Sequence, residues 1–272
     1  MPTSHALYHQ MLPSTQPHAE HLTLVHGWAA ESAGWADWAQ EFLTPHFQVH
    51  LIDLPGFGQS PELSKTQIAN DLNGAWCDAL AQALPPKSHL LGWSLGGLLC
   101  QQLAWQYPRQ VQSLICLAST PRFTQQDGWP NAVSPELMAN FMKALGVESL
   151  TLLKQFWNLQ LQGSDNARPL MKQLSAQMRN RNLPSLAGLT QGLKLLRDLD
   201  NRPHLQDITQ PTLWLFGEHD PLIPQALQTQ LHDLQPSAQL HIIKGASHMP
   251  FFSHPQDTAD ALIHFIHAQI ET

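Results

Sequence analysis

A serine flanked by glycines is the feature of this sequence whose residue types most directly indicate chemistry. Ser94 lies at the centre of Gly92-Trp-Ser-Leu-Gly96, a G-x-S-x-G pattern between the apolar run His89–Leu91 and a leucine-rich helical run. A serine on a tight turn from strand to helix needs neighbours without a Cβ, so that its hydroxyl can stand exposed. The pattern therefore predicts Ser94 as a catalytic nucleophile, with an ordinary glycine-rich turn as the alternative.

The base that such a serine requires is predicted to be His248. A serine hydroxyl is a poor nucleophile at neutral pH unless a base lies within hydrogen-bond reach. Where serine occupies this kind of turn, an acid and then a histidine follow it along the chain. His248 stands just after the last predicted strand, in Lys244-Gly-Ala-Ser-His-Met-Pro250. The chain has 16 histidines, and the nearby rival His254 instead precedes the final predicted helix.

The acid behind the histidine is predicted to be Asp220. It follows the apolar run Leu213–Phe216 in Gly217-Glu-His-Asp-Pro221. A carboxylate there would hold the imidazole in the correct tautomer and stabilise it when it is protonated. Glu218 is the rival carboxylate, and Asp220 could instead cap the helix predicted to begin after it. We favour Asp220 because it lies one turn beyond the strand.

Backbone amides are predicted to bind the oxyanion of the reaction. His26-Gly-Trp28 follows the first predicted strand, so the N–H of Trp28, together with that of Leu95, would face the developing negative charge. Loss of one such donor typically costs about 3 kcal/mol of transition-state stabilisation. We interpret His26 itself as a structural residue that holds its loop. The sequence contains no H-E-x-x-H, zinc-type cysteine or P-loop pattern, so we expect neither a metal nor a cofactor.

The elements that must position these residues are predicted strands alternating with predicted helices. This alternation is typical of a parallel sheet covered by helices, in which ligands bind at the carboxyl edge of the strands. The predicted strands are Leu22–Val25, Val49–Ile52, His89–Leu91, Val111–Leu117, Leu213–Phe216 and Leu240–Ile243. The predicted helices lie near Ile68–Leu84, Leu98–Tyr107, Pro224–Leu234 and Pro255–Ile270. The polar N-terminus, residues 1–20, either adds a strand or trails.

The strand pattern stops between residues 122 and 202, which we call the cap segment. It has the pattern of several amphipathic helices, with breaks expected at Gly146, Gly163, Pro169 and Pro184. We predict a helical cap inserted into a core of residues 1–121 and 203–272; a separate all-α domain is the alternative. The cap segment has ten Lys and Arg against six Asp and Glu, a net charge of +4, and the remainder has four against fifteen, a net charge of −11.

Composition excludes several classes of protein. Of the 272 residues 43% are hydrophobic and 13% charged, which indicates a globular protein with a large core. The net charge of −7 argues against nucleic acid as the main partner. We expect neither a signal peptide nor a membrane span, because no apolar run is long enough for either. The three cysteines lack disulfide or metal spacing, so we expect a protein of the reducing cytosol.

Several stretches together resemble one known family. They are His26-Gly-Trp28, Asp53-Leu-Pro-Gly-Phe-Gly58, Gly92-Trp-Ser-Leu-Gly-Gly97, Ala118-Ser-Thr-Pro121 with Phe123, and Trp129-Pro130. From about His21 to the C-terminus the chain is similar to the pimeloyl-[acyl-carrier protein] methyl ester carboxylesterases of biotin synthesis. The resemblance implies the α/β-hydrolase fold, with a mostly parallel sheet flanked by helices and an inserted cap. It also implies a serine carboxylesterase that releases methanol from a pimeloyl chain on an acyl-carrier protein.

The resemblance further implies that basic residues of the cap receive the acidic carrier. Arg168 and Lys172 match the family's carrier-binding positions, and Arg179 and Arg181 would extend that patch. Gln155 departs from the family because a basic residue is expected there, and Lys154 is the nearest substitute. The acyl channel would be lined by Trp28, Trp93, Phe123 and Phe156. The oligomeric state is not encoded in these motifs, and we favour a monomer.

Other functions stay open at this point. A fold does not fix a substrate, so a generalist short-chain carboxylesterase, a thioesterase or a carbon–carbon bond hydrolase would use the same scaffold. A non-catalytic ligand receptor is the alternative from another class. Such a receptor would have no need of a complete set of nucleophile, base and acid.

Overall fold

The computed structural model describes residues 6–179 and 181–270. Within these residues, a sheet of seven strands forms the centre of the molecule. The strands lie in the order β1-β3-β2-β4-β5-β6-β7, with β1 antiparallel to β3 and every other pair parallel. Their bounds are His9–Leu12 (β1), His21–Val25 (β2), Gln48–Ile52 (β3), Ser88–Trp93 (β4), Val111–Leu117 (β5), Thr212–Gly217 (β6) and Gln239–Ile243 (β7). The six strands predicted from apolar runs correspond to β2–β7.

Helices cover both faces of this sheet, so strands β4 and β6 are buried along their whole length. The helices are Ala36–Trp38 (α1), Lys65–Ile68 (α2), Leu72–Ala83 (α3), Leu95–Gln106 (α4), Pro135–Leu159 (α5), Ala167–Met178 (α6), Leu186–Asp198 (α7), Leu227–Leu234 (α8), Pro250–Ser253 (α9) and Pro255–Ile270 (α10). A π-helix, Ala39–Leu43, and 3₁₀ helices, Ser32–Gly34 and Arg202–Asp207, complete them. The α/β-hydrolase fold predicted from the resemblance is confirmed.

The parallel register brings the carboxyl ends of the central strands to one edge. Val25 of β2 is paired with Gly92 of β4, and Trp93 of β4 with Leu117 of β5. The residues that follow these strands, among them Gly27 and Ser94, therefore meet at the same edge. This is the edge at which ligands bind in open sheets of this type.

The N-terminal region does add a strand. Strand β1 pairs with β3, and three histidines join the two strands to β2. His50 lies between the others, with its Nδ1 2.7 Å from His9 Nε2 and its Nε2 2.8 Å from His21 Nδ1. Burial, followed by the two neighbouring rings, lowers the pKa of His50 to about 4. His50 is therefore neutral at pH 7 and connects three strands without placing a charge in the sheet. Residues 1–5 lie outside the described residues.

The cap segment contributes α5, α6 and α7 between β5 and β6. Its buried residues Met138, Phe156 and Leu193 belong to the same apolar cluster as Trp28 and Leu95 of the core. The helix α5 is interrupted at Glu148, which has non-helical backbone angles, close to the break expected at Gly146. The break expected at Pro169 is wrong, because α6 begins at Ala167 and includes this proline in its first turn. Proline is tolerated there because the N–H groups of the first turn make no hydrogen bond within the helix.

Two further observations concern the environment of the chain. Among the residues that the structure describes, none of the helices combines the length and apolar character that crossing a membrane requires. Cys77, Cys100 and Cys116 are all buried thiols without a disulfide partner. Burial raises the pKa of the Cys77 thiol to about 12, so it stays protonated at neutral pH.

Candidate active site

Ser94 occupies the tight turn between β4 and α4. Its backbone angles are φ 53° and ψ −116°, a strained conformation for a residue with a side chain. The flanking glycines permit the turn. A Cβ on Gly96 would lie 2.1 Å from the carbonyl oxygen of Val25, and one on Gly92 would lie 2.5 Å from that of Gly96. The G-x-S-x-G spacing thus reflects close backbone packing on both sides of the serine.

Ser94, His248 and Asp220 form one hydrogen-bonded row. The Nε2 atom of His248 lies 3.0 Å from Ser94 Oγ, and its Nδ1 lies 2.8 Å from Asp220 Oδ2. An ionised carboxylate can only accept, so Nδ1 carries the proton and Nε2 accepts from the serine hydroxyl. The His248 side chain is fully buried. This arrangement lets the imidazole take the serine proton as the serine attacks a carbonyl carbon.

Two backbone amides hold the carboxylate of Asp220. Its Oδ1 accepts from the N–H of Leu222 at 2.8 Å and from that of Ile223 at 3.0 Å. The other oxygen, Oδ2, is thereby directed to His248. The rival Glu218 instead accepts from the N–H of Gly245 at 2.9 Å. Among the predicted carboxylates it is therefore Asp220 that contacts the histidine.

The rival histidine His254 is occupied elsewhere. Its Nδ1 lies 2.9 Å from Ser253 Oγ, and its Nε2 lies 3.9 Å from Asp165 Oδ2. The backbone N–H of His248 donates to the carbonyl of Gln160 in the cap segment at 3.0 Å. The loop that carries His248 is thus attached to the cap segment at the end of α5. No feature of the sequence predicts this hydrogen bond between His248 and Gln160.

The two segments expected to supply oxyanion donors lie on either side of Ser94. Leu95 is the first residue of α4, so its N–H has no acceptor within that helix. A Cβ on Gly27 would lie 3.2 Å from Ser94 Cβ, which places the Gly27–Trp28 loop against the serine. The Trp28 indole donates from Nε1 to the carbonyl of Leu189 at 2.9 Å. The oxyanion role of both amides stays a prediction.

His26 holds its loop through both ring nitrogens. Its Nε2 accepts from the N–H of Leu54 at 3.0 Å, so the ring proton lies on Nδ1, which donates to the carbonyl of Gly27 at 2.8 Å. Burial lowers the pKa of His26, opposed by the nearby Asp53. The ring is therefore neutral, and its contacts are those of the structural residue that the sequence predicted.

The aromatic residues predicted to line an acyl channel are divided between two cavities. Trp28, Phe123 and Phe156 lie around an apolar cavity of about 100 Å³. The Trp28 and Phe156 rings meet edge to face, with centroids 5.0 Å apart. Trp93 lines a separate pocket of about 20 Å³ and donates from Nε1 to the carbonyl of His248 at 2.8 Å. Trp93 therefore contacts the loop that carries His248 rather than the larger apolar cavity.

The five predicted docking residues are not equivalent. Lys154, Arg168, Lys172 and Arg179 are exposed. The Arg181 side chain is only 14% exposed; its Nε lies 3.7 Å from Glu31 Oε1, and its Nη2 donates to the carbonyl of Ala33 at 3.2 Å. Burial disfavours the charged form of both groups, so it raises the pKa of Glu31 and lowers that of Arg181. Arg181 thus joins the cap segment to the core loop after β2.

Some residues of the site were missed by sequence reasoning. Ser119 donates from Oγ to the carbonyl of Ser94 at 2.7 Å and so supports the strained turn. Glu31, the partner of Arg181, belongs to no motif. The contact between Asp220 and the backbone amides could have been suspected from the sequence, because an aspartate before proline commonly accepts from N–H groups of the following turn.

Within residues 6–179 and 181–270, no cluster of His, Cys, Asp or Glu is arranged to hold a metal ion.

Fold and site together define the class of this protein. A serine on a strand-to-helix turn, followed along the chain by an aspartate and a histidine in hydrogen-bond contact, is the arrangement of α/β hydrolases. Residues 20–255 match the family model for the alpha/beta hydrolase fold. An esterase from Exiguobacterium antarcticum superposes with a TM-score of 0.81 at 21% identity, over 96% of this chain and 95% of that one. The chain is therefore a hydrolase of the α/β-hydrolase family.

Curated relatives define the family more narrowly. The pimeloyl-[acyl-carrier protein] methyl ester esterase of Aeromonas salmonicida is 38% identical over 246 residues, which are 90% of this chain and 94% of that protein. The esterase of the same name from Yersinia enterocolitica is 34% identical over 244 residues, 90% of this chain and 92% of that protein. The chain belongs to this family of pimeloyl-[acyl-carrier protein] methyl ester esterases.

Proposed function

We propose that this protein hydrolyses the methyl ester of pimeloyl-acyl-carrier protein to methanol and the free pimeloyl carrier, a step of biotin synthesis. The observation that carries the proposal is a serine in hydrogen-bond contact with a histidine, in a chain whose cap segment has a net charge of +4 while the remainder has a net charge of −11. The names of relatives at 34–38% identity support the same substrate. No cofactor enters the reaction, because serine, histidine and water supply all its groups.

The proposed reaction has two steps. The Ser94 hydroxyl transfers its proton to His248 Nε2 as Oγ attacks the ester carbonyl carbon, and the oxyanion accepts from the amides of Trp28 and Leu95. The protonated histidine then donates to the departing methoxide oxygen, so methanol leaves and an acyl-enzyme stays. Water then transfers a proton to His248 and attacks the acyl-enzyme, which releases the carboxylate and restores the serine hydroxyl. Throughout, Asp220 would stabilise the positive charge of the imidazolium.

Side chains around the site would select the substrate. The apolar cavity lined by Trp28, Phe123 and Phe156 would hold hydrocarbon of the ester and exclude water from it. Trp93 would contact the ester, and its hydrogen bond to the carbonyl of His248 would also hold that histidine in position. These assignments are supported by the position of both cavities between the cap segment and the carboxyl edge of the sheet.

The carrier would dock on the cap segment. Arg168 and Lys172 are exposed and lie one turn apart on α6. Arg168 is in the first turn of α6, where a cation is unfavourable by about 0.3–1 kcal/mol because the helix dipole is positive there. Helix stability therefore gives no reason for this arginine, whereas an acidic partner does. We also propose that the protein acts as a monomer in the cytoplasm.

We further propose that residues 122–202 are an insertion in a core of residues 1–121 and 203–272. The two ends of the cap segment lie side by side, which supports this division. The N–H of Asn201 donates to the carbonyl of Pro121 at 2.8 Å, and Thr124 Oγ1 donates to the carbonyl of Arg197 at 2.9 Å.

Methanol release tests the proposed substrate. We expect kcat/KM for pimeloyl-carrier methyl ester to exceed that for dimethyl pimelate and for a short p-nitrophenyl ester by at least about tenfold, since charge complementarity raises the association rate. The Ser94→Ala variant supplies the blank. Equal or better turnover of the two small esters would reduce the protein to a generalist esterase.

Charge reversal tests the docking surface. The double variant Arg168→Glu with Lys172→Glu should raise KM for the carrier-linked ester by about tenfold, and more at low salt, because like charges would then oppose the carrier. Its kinetics on dimethyl pimelate should not change. Lys65→Glu with Lys87→Glu is the matched control, since it makes the same change of net charge at exposed positions of the core. An equal effect of both double variants would refute docking at α6.

A further inference from the structure

The two backbone amides proposed to bind the oxyanion belong to deeply buried residues. Trp28 is 1% exposed and Leu95 is 0% exposed. Across residues 6–179 and 181–270, the N–H of neither residue has a hydrogen-bond acceptor. Buried N–H groups without an acceptor are rare in folded proteins. Both amides are therefore available to a negative charge that develops beside Ser94, and the direction in which each N–H points matters to the reaction.

Ser119 fixes the peptide unit that carries the Leu95 N–H. Its Oγ donates at 2.7 Å to the carbonyl oxygen of Ser94, which is the other end of that unit. The peptide bond is trans, and in a planar trans peptide the C=O and the N–H point in opposite directions. A hydrogen bond that fixes the oxygen therefore also fixes the direction of the N–H. The same bond polarises the unit, which makes its N–H a stronger donor.

A glycine next to the nucleophile turn makes room for the Ser119 hydroxyl. A Cβ on Gly97 would lie 2.4 Å from Ser119 Oγ, so a larger residue would displace the hydroxyl. The N–H groups of Gly97 and Leu98 also donate to the Ser94 carbonyl, at 2.9 and 3.3 Å. Both of these donors lie in α4, whereas Ser119 follows β5. Ser119 thus holds the strained turn, with its ψ of −116°, from outside the helix.

His26 fixes the second peptide unit in the same way. Its Nδ1 donates at 2.8 Å to the carbonyl oxygen of Gly27, and the N–H of that unit belongs to Trp28. The other ring nitrogen accepts from the N–H of Leu54 at 3.0 Å, which leaves the ring proton on Nδ1. Burial lowers the pKa of His26, so the ring keeps this arrangement at neutral pH. Each of the two oxyanion donors is therefore held from behind by one buried side chain.

We propose that Ser119 and His26 are positioning residues of the oxyanion site, each of which aims one backbone N–H at the carbonyl oxygen under attack. The inference rests on the proposed function, because it assumes acyl transfer at Ser94. Each side chain would act through the peptide unit to which it donates, without contact with the ester. An oxyanion forms in both steps of the reaction, so kcat would depend on these contacts whichever step limits it.

Ser119→Ala tests the first unit. We expect kcat for dimethyl pimelate to fall about tenfold with KM unchanged, because the Leu95 N–H is misdirected rather than lost; outright loss of an oxyanion donor costs about 10²–10³-fold. An alkyl trifluoromethyl ketone, whose carbonyl Ser94 attacks to form an oxyanion, should bind about tenfold more weakly. The matching methyl ketone, which forms no stable adduct, should bind as tightly as it does to the unaltered protein.

Ser88→Ala is the matched control for this substitution. Ser88 lies at the other end of β4, is fully buried, and donates from Oγ to the carbonyl of His89 at 2.8 Å. Its loss removes a similar hydrogen bond from the same strand and lowers Tm, but it should leave kcat and the affinity for both ketones unchanged. A loss of kcat in Ser88→Ala equal to that in Ser119→Ala would overturn the positioning role.

Two substitutions of His26 separate its two contacts. An asparagine places an amide N–H near the position of Nδ1, whereas a glutamine places an amide oxygen near the position of Nε2. His26→Asn should therefore keep the bond to the Gly27 carbonyl, and His26→Gln should keep the bond from the Leu54 N–H. We expect kcat of His26→Asn to exceed that of His26→Gln by about tenfold, as for one misdirected oxyanion donor. Equal values, or a higher kcat for His26→Gln, would show that His26 only holds its loop.

The outcomes keep this inference apart from the proposed function. Failure of the unaltered protein to hydrolyse both the carrier-linked ester and dimethyl pimelate would overturn the proposed function and the inference with it. Normal turnover by the unaltered protein, together with an unchanged kcat in Ser119→Ala, would overturn the inference alone. Equal weakening of both ketones would do the same, since it indicates a general distortion of the site. So would a changed pKa in the pH dependence of kcat/KM, because the substitution would then act on His248.

Discussion

Replacing Ser94 with alanine should lower kcat by at least about 10⁴-fold, with the fold retained. The alanine lacks the Oγ that lies 3.0 Å from His248 Nε2, so no acyl-enzyme can form. Methanol release and labelling by a covalent serine probe measure the effect. The probe should label the unaltered protein and fail to label the variant. Substantial esterase activity in purified Ser94→Ala would reject the mechanism.

Ser94→Gly provides an informative companion. It should be equally inactive, yet more stable than Ser94→Ala by about 1 kcal/mol, because glycine adopts positive φ without the strain that a side chain incurs. The serine has φ 53°. For a chain of this size we expect Tm to be about 2–4 °C higher for the glycine variant. A glycine variant less stable than the alanine variant would contradict the attribution of strain to this turn.

Replacing Asp220 with asparagine should lower kcat by about 10⁴-fold, since the histidine would be held in the wrong tautomer. The amides of Leu222 and Ile223 donate to Oδ1, so the asparagine oxygen must take that position. Its NH₂ group then faces His248 Nδ1, which is forced to accept. The proton moves to Nε2, and that nitrogen can no longer accept from Ser94.

Glu218→Gln is the control for this substitution. Glu218 lies in the same loop but accepts from the N–H of Gly245. Its substitution removes no hydrogen bond of His248 or Ser94, so we expect kcat close to the unaltered value. Steady-state kinetics on one ester, measured for both variants, distinguish the two carboxylates. A larger loss for Glu218→Gln than for Asp220→Asn would reverse the assignment of the acid.

The serine turn and the order of its partners were predictable because they depend on local rules. A glycine is required wherever a Cβ would meet a backbone oxygen, as at Gly96, and this requirement appears in the sequence itself. Apolar runs of β-branched residues and leucine predicted β2–β7. For the central strands the reason is that a covered sheet is buried on both faces, whereas β7 was predicted although only its last residue, Ile243, is buried. Strand β1 could not be predicted in the same way, because three of its four residues are exposed and its pattern is therefore not apolar.

The different surroundings of the basic residues in the cap segment could not be predicted from the sequence. Arg179 and Arg181 are two positions apart and were predicted to act alike. The structure exposes Arg179 and pairs Arg181 with Glu31. Exposure and ion pairing of a long side chain depend on which loop lies opposite it, and periodicity carries no information about that loop.

The sequence by itself determined the α/β class, the nucleophile turn, the candidate base and acid, and the positive charge of the cap segment. Each depends on residue types at short spacing or on composition. Only the tertiary structure decided that His248 reaches Ser94 across 154 positions of sequence, that Trp93 donates to the carbonyl of His248 rather than lining the larger apolar cavity, and that a cationic cleft lies between α5 and α6. These contacts join segments remote in the chain, and their geometry follows from packing of the whole sheet and its helices.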